Sequence, residues 1–164
     1  TISFGQGIAV TAVQLAGAYN TIANNGIFLS PTLYRGTIDG EGQMHPAPPG
    51  DRRRVLSANT AAQVRAMLAD VVTDGTGIRA AVDGFSAAGK TGTAQKALVD
   101  RPGYSETAYM ATFAGFVPAQ QPELTIVVTI DEPTEEHLAG LVAAPVFSDV
   151  AEYALRVMRV APTE

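Results

Sequence analysis

Gly84-Phe85-Ser86-Ala87-Ala88-Gly89-Lys90-Thr91-Gly92-Thr93-Ala94 can be read two ways, and the choice between them decides the fold. Taken literally, Gly84 to Thr91 matches the phosphate-loop pattern G-x-x-x-x-G-K-[ST]. Ile126 to Ile130 followed by Asp131-Glu132 imitates the acidic strand that holds magnesium in such proteins. A phosphate loop needs an apolar strand before its first glycine and a helix opening at its lysine, because loop amides and the helix N-terminus cradle the phosphates. Before Gly84 the chain reads Ile78-Arg79-Ala80-Ala81-Val82-Asp83, and after Thr91 come Gly92 and then Pro102-Gly103, which leave little room for a helix. Nucleotide binding is the alternative reading of the stretch.

The preferred reading places Lys90-Thr91-Gly92-Thr93 inside a strand. A lysine in an otherwise apolar strand must find a partner or a cleft, since an isolated buried ammonium is costly. Lys90 and Lys96 are the only lysines. Alternation puts Thr91 and Thr93 on one face and Lys90 on the other, while Gly92 removes the side chain where a ligand would lie along the strand. That pattern describes a substrate-docking edge; taken alone, the tetrapeptide also fits an edge strand charged against aggregation.

Around this strand the sequence alternates helix and strand signals. Thr11 with Gln14 forms a capping box, and Ala12, Leu15, Ala16, Tyr19, Ile22 and Ala23 recur at helical spacing until Asn25-Gly26. The other face, Val13, Gly17, Ala18 and Thr21, is also small and uncharged, so this helix is expected to be covered on both sides, partly by something outside the chain. Residues 36–54, with four glycines and three prolines, read as an exposed loop or loose hairpin. Ser57 caps a second helix whose face is Ala61, Val64, Leu68, Val71 and Val72, ended by Gly75 and Gly77. Three β-type runs follow at 85–94, 108–117 and 124–130, with antiparallel pairing expected of sequential neighbours. A closing helix is expected from about Pro145, carrying Val146, Phe147, Val150, Tyr153, Ala154 and Val157.

Composition narrows the function classes. The chain has 164 residues, 46% hydrophobic and 16% charged, which fits one globular domain or a part of one. The absence of cysteine excludes disulfides, thiolate metal sites and thiol nucleophiles. A net charge of −5 has the wrong sign for a nucleic-acid footprint, and Arg52 to Arg54 is too short a basic run to reverse it. Residues 1–34 carry no charged side chain, but Gln14, Asn20, Asn24 and Asn25 interrupt any membrane span. The start at Thr1, with no cleavage pattern after it, points to a piece of a longer chain. His45, His137 and Glu135-Glu136 lack metal-site spacing and read as solvated loop.

The chain resembles the C-terminal half of the transpeptidase domain of class B penicillin-binding proteins, most of all the division-type enzymes. Ala88-Gly89-Lys90-Thr91-Gly92-Thr93-Ala94 carries the most specific likeness. Gly5-Gln6-Gly7-Ile8-Ala9-Val10-Thr11-Ala12-Val13-Gln14-Leu15-Ala16 resembles the family's stretch ahead of a helix, and Asn25-Gly26 with Pro31 its exit. Gly75-Thr76-Gly77 precedes the site strand as in the family. Phe113-Ala114-Gly115-Phe116-Val117-Pro118-Ala119 resembles the next strand, and Ala143-Ala144-Pro145-Val146-Phe147 the start of the last helix. Ala139-Gly140 departs from the paired glycines that relatives often place before that helix.

Of the three motifs S-x-x-K, S-D-N and K-T-G found together in such enzymes, only the third stands here in its proper setting. Thr93-Ala94-Gln95-Lys96 imitates the first by accident within the site strand, and Ser57-Ala58-Asn59 falls on the wrong side of Gly5-Gln6-Gly7 for the second. The resemblance implies an α/β (α+β) fold of the penicillin-binding and serine β-lactamase type, an antiparallel sheet with flanking helices, of which residues 1–164 form the C-terminal part. It implies acyl transfer from D-Ala-D-Ala stem peptides through an acyl-serine that β-lactams also form, without a cofactor. Lys90 and Thr93 are then the catalytic candidates, and Thr91, Gly92 and Thr93 the substrate-binding ones, with the Thr93 amide completing the oxyanion hole. Expected partners are stem peptides, β-lactams, the missing N-terminal half carrying S-x-x-K and S-x-N, and other cell-division proteins. The expected location is the extracytoplasmic face of the bacterial membrane, anchored by a segment not in this chain. A catalytically empty scaffold or sensor is a further alternative.

Overall fold

Thr11 opens the first helix in the computed structural model, which describes residues 7–163. The Gly5-Gln6 part of the first family-like stretch lies outside the described residues. Helix α1 (Ala12–Ala23) has the full capping box: the Gln14 amide donates to Thr11 Oγ1 at 3.2 Å, and the Thr11 amide donates to Gln14 Oε1 at 2.9 Å. Its C-terminus is closed from a distance, because Arg65 donates to Asn25 Oδ1 at 2.7 Å. Expected cover on the second face is supplied in part by the chain itself. Gly17 and Thr21 are buried, Gly17 close to the Phe28 ring, whereas Val13 and Ala18 are exposed.

Residues 36–54 are more ordered than a loop. Strands β2 (Gly36–Ile38) and β3 (Met44–Pro46) form the hairpin that the turn-rich composition allowed. Strand β1 (Ile27–Leu29) pairs with β4 (Arg52–Arg54), in the register Phe28↔Arg53. Neither three-residue strand is visible as a pattern, because an arginine run is no β signal; the Arg53 guanidinium lies 5.4 Å from the centre of the Phe28 ring, a cation–π contact. Helix α2 (Ala58–Asp74) begins as expected, with the Thr60 amide donating to Ser57 Oγ at 3.0 Å. Ser57 is a helix cap.

The main sheet has three antiparallel strands in the order β5 (Ala88–Ala97), β6 (Tyr104–Val117), β7 (Leu124–Asp131). β5 is therefore an edge. Residues directly opposite share a face, so Ala88 and Phe116 look toward α1 and α2, where Tyr19, Ile22, Ala23, Leu68 and Ala69 pack. Ala111 and Phe113 look toward the closing helix α3 (Ala139–Met158), whose Ala143, Phe147, Ala151 and Leu155 fill the larger core. The Phe113 and Phe147 rings meet at 4.8 Å and 59°. Gly89 and Gly115 sit opposite each other beneath Phe113, and a Cβ on Gly89 would stand 2.6 Å from that ring.

Helix α3 starts six residues before Pro145, the expected start, and the proline is internal. The physical reason is a tertiary cap: Leu138 offers no side-chain cap, and the Ala139 amide instead donates to Thr93 Oγ1 on β5 at 3.0 Å. The small, apolar Ala139 and Ala143 extend the core face upstream past the proline. No helix among the described residues is long and apolar enough to cross a membrane.

Candidate active site

The phosphate-loop alternative fails on local geometry. Lys90 lies in the third position of β5, no helix opens there, and Val82 and Phe85 ahead of it make only an isolated bridge. Asp131, which would have held magnesium, ends β7 and pairs with Lys96 at 2.9 Å, while Glu132 takes the same ammonium at 2.7 Å. Asp131 first and Glu132 second hold the Lys96 pKa above the ordinary lysine value. Among the described residues no group of histidines and carboxylates could hold a metal.

Thr91 and Thr93 do share a face, the one toward α3, and Lys90 starts from the other. Lys90 is exposed, so no ammonium is buried without a partner. Its side chain bends back over the free strand edge, and Nζ donates to Thr91 Oγ1 at 3.0 Å, to the Thr91 carbonyl at 3.1 Å and to Thr76 Oγ1 at 3.4 Å. Thr76 and Thr91 hydroxyls stand 2.9 Å apart. Among the described residues Lys90 enters no ion pair, whereas Lys96 enters two. Gly92 leaves its side of the strand open, the nearest atom to an added Cβ being the Thr112 carbonyl oxygen at 4.0 Å.

Two contributors were not assigned a role from sequence. Thr76 belongs to a turn after α2, and its only signal was the Gly75-Thr76-Gly77 string. Glu136, read as solvated loop, organises the approach to α3: its Oε1 accepts from the His137 and Leu138 amides, each at 2.8 Å. Those amides, Leu138 first, hold its carboxyl below the usual glutamate range. His137 stacks on Tyr109 with ring centres 4.2 Å apart, and His45 pairs with Asp39 in the β2–β3 hairpin.

Among the described residues the Lys90 ammonium is set among hydroxyls and pairs with no carboxylate, and comparison with known proteins decides the family. The family model for the penicillin binding protein transpeptidase domain matches residues 1–152. The chain belongs to this family. Among similar proteins of the penicillin-binding family, a probable peptidoglycan D,D-transpeptidase PenA of Neisseria flavescens is 39% identical over the whole chain, which spans 38% of that relative. The crystal structure of penicillin-binding protein 3 of Mycobacterium tuberculosis, complexed with ampicillin, superimposes with a TM-score of 0.86 at 36% identity, covering 96% of this chain and 37% of that one. The apo transpeptidase domain of Burkholderia pseudomallei penicillin-binding protein 3 gives 0.82 at 39% identity, covering all of this chain and 47% of that one. The penicillin-binding transpeptidase fold that the resemblance implied is thus the fold found, and the chain spans less than half of these relatives.

Proposed function

We propose that the chain is the C-terminal part of the transpeptidase domain of a class B, division-type penicillin-binding protein, a serine-type D,D-transpeptidase that cross-links peptidoglycan. The observation that carries this reading is the Lys90 ammonium, free of carboxylate partners among the described residues and held by the Thr76 and Thr91 hydroxyls on the open edge of β5. A stem peptide ending in D-Ala-D-Ala presents a carboxylate, and an anion is what such a cluster lacks.

In this reading the peptide lies along β5 beside Gly92, with the Thr91 and Thr93 hydroxyls holding its carboxylate. The Thr93 amide stabilises the oxyanion as a serine from an S-x-x-K segment preceding this chain attacks the penultimate carbonyl. The terminal D-Ala leaves with a proton, and the amine of a second stem peptide then releases the acyl-serine. Lys90 adds positive charge near the nucleophile. A β-lactam would acylate the same serine, a reading supported by the ampicillin complex of the mycobacterial relative. The work would take place at the extracytoplasmic membrane face alongside other division proteins.

The test is Lys90→Ala in the full-length protein. Second-order acylation by a β-lactam should fall by about 10², the scale of removing one positioned electrostatic group from acyl transfer, with little change in melting temperature. Unchanged acylation would reduce Lys90 to a charge that protects a strand edge.

A further inference from the structure

We propose that Thr76 is a positioning residue of this site: its hydroxyl donates to Thr91 Oγ1 and so leaves the Thr91 proton directed at the incoming carboxylate. The proposal rests on the reading of β5 as the substrate-docking strand. Thr76 is not on that strand. It is carried by the turn that closes α2, and its backbone is clamped from two sides. On one side its glycine neighbours press on Val71, where a Cβ on Gly75 would stand 2.8 Å from the backbone, while the Gly77 amide donates to the Val71 carbonyl at 2.9 Å. On the other side the first turn of α3 closes in, and a Cβ on Gly140 would stand 2.5 Å from the Thr76 carbonyl oxygen. What remains free to turn is the hydroxyl.

Proton counting assigns its direction. Lys90 has donors only, and it donates to both hydroxyl oxygens, at 3.0 Å to Thr91 and 3.4 Å to Thr76. Each hydroxyl has one proton, and the two oxygens are 2.9 Å apart, so one donates to the other. If Thr91 is to give its proton to a carboxylate, the bond between the two must run from Thr76 to Thr91. Thr76 then acts through Thr91, without touching substrate.

The experiment compares Thr76→Val, Thr76→Ser, Thr91→Val and the double valine variant in the full-length protein, with Lys90→Ala as reference. Acylation by a β-lactam should fall about tenfold in Thr76→Val, the scale of one hydrogen bond beside a charged group, and return to within about threefold of the wild type in Thr76→Ser. Adding Thr76→Val to Thr91→Val should cost nothing further. Additive losses, or a fall in melting temperature that serine does not rescue, would assign Thr76 to holding the turn and overturn the proposal. Normal acylation in Thr76→Val with impaired Lys90→Ala would overturn it while leaving the docking strand intact. Normal acylation in both would remove the reading of the strand itself.

Discussion

The Ala139 amide donates to Thr93 Oγ1 at 3.0 Å, joining the first residue of the closing helix to the edge strand across 46 positions of sequence. Thr93 is thus a helix cap held by another element, and its hydroxyl retains a proton to give. Thr93→Val should lower stability by about 1 kcal/mol, as the loss of a capping oxygen does, and Thr93→Ser should restore it. Chemical denaturation of the three proteins measures this, and equal midpoints would show that the cap contributes nothing.

The chain by itself should form no covalent adduct with a fluorescent penicillin. No serine precedes either lysine by three residues, so the S-x-x-K segment that the proposed function requires is not among the 164 residues. A labelled band on a denaturing gel would contradict the assignment. Magnesium-ATP should likewise give no heat of binding in calorimetry, since Lys90 lies in a strand.

Gly89→Ala tests the packing under the site. The added carbon would meet the Phe113 ring at 2.6 Å and the Ala114 carbonyl oxygen at 2.8 Å, neither able to swing away cheaply. Overpacking of this kind costs roughly 1 to 3 kcal/mol. A melting temperature equal to that of the parent protein would mean that the ring has room the structure does not show.

Acid should loosen the β2–β3 hairpin before the rest of the fold. Asp39 accepts from His45 at 2.7 Å and from the Gln43 and Glu41 amides at 2.9 and 3.0 Å, and these bonds, His45 first, lower its pKa. A carboxyl with a depressed folded pKa contributes stability that is present above its unfolded value. That contribution is lost as pH falls through the folded value, here below about pH 4. Hydrogen exchange at the Gln43 amide should accelerate there relative to its intrinsic rate, and Asp39→Asn should remove that pH dependence.

Much of this was legible in local sequence because the signals are local: Thr11 with Gln14, Ser57 before α2, and the alternation around Lys90 each involve residues within a turn or a few strand positions. What escaped depends on distance. The start of α3 is set by Thr93, 46 residues away, so Pro145 was the only start signal the sequence offered. Thr76 lies 15 residues from Thr91, and its hydroxyl enters the site only because α2 ends where β5 begins its edge. Strands β1 and β4 hold each other through three residue pairs, too few for a periodicity, and one partner is all arginine. That Lys90 meets the demand for a partner through the Thr76 hydroxyl was not legible, because it depends on a side chain on an edge strand curling around the edge to a turn 14 residues away.

Helix α3 covers β5, β6 and β7 and is the last regular element among the described residues. During synthesis, β5 emerges from the ribosome well before α3, so Thr93 waits without its amide donor and Phe113 without Phe147. For that interval β5 is one open side of a hairpin, shaped by its neighbours in the sheet but not yet by the helix it caps. The order of translation therefore makes the site's final geometry a late event, and any chain released before α3 would carry the Lys90-Thr91-Gly92-Thr93 motif without the helix that holds it in place.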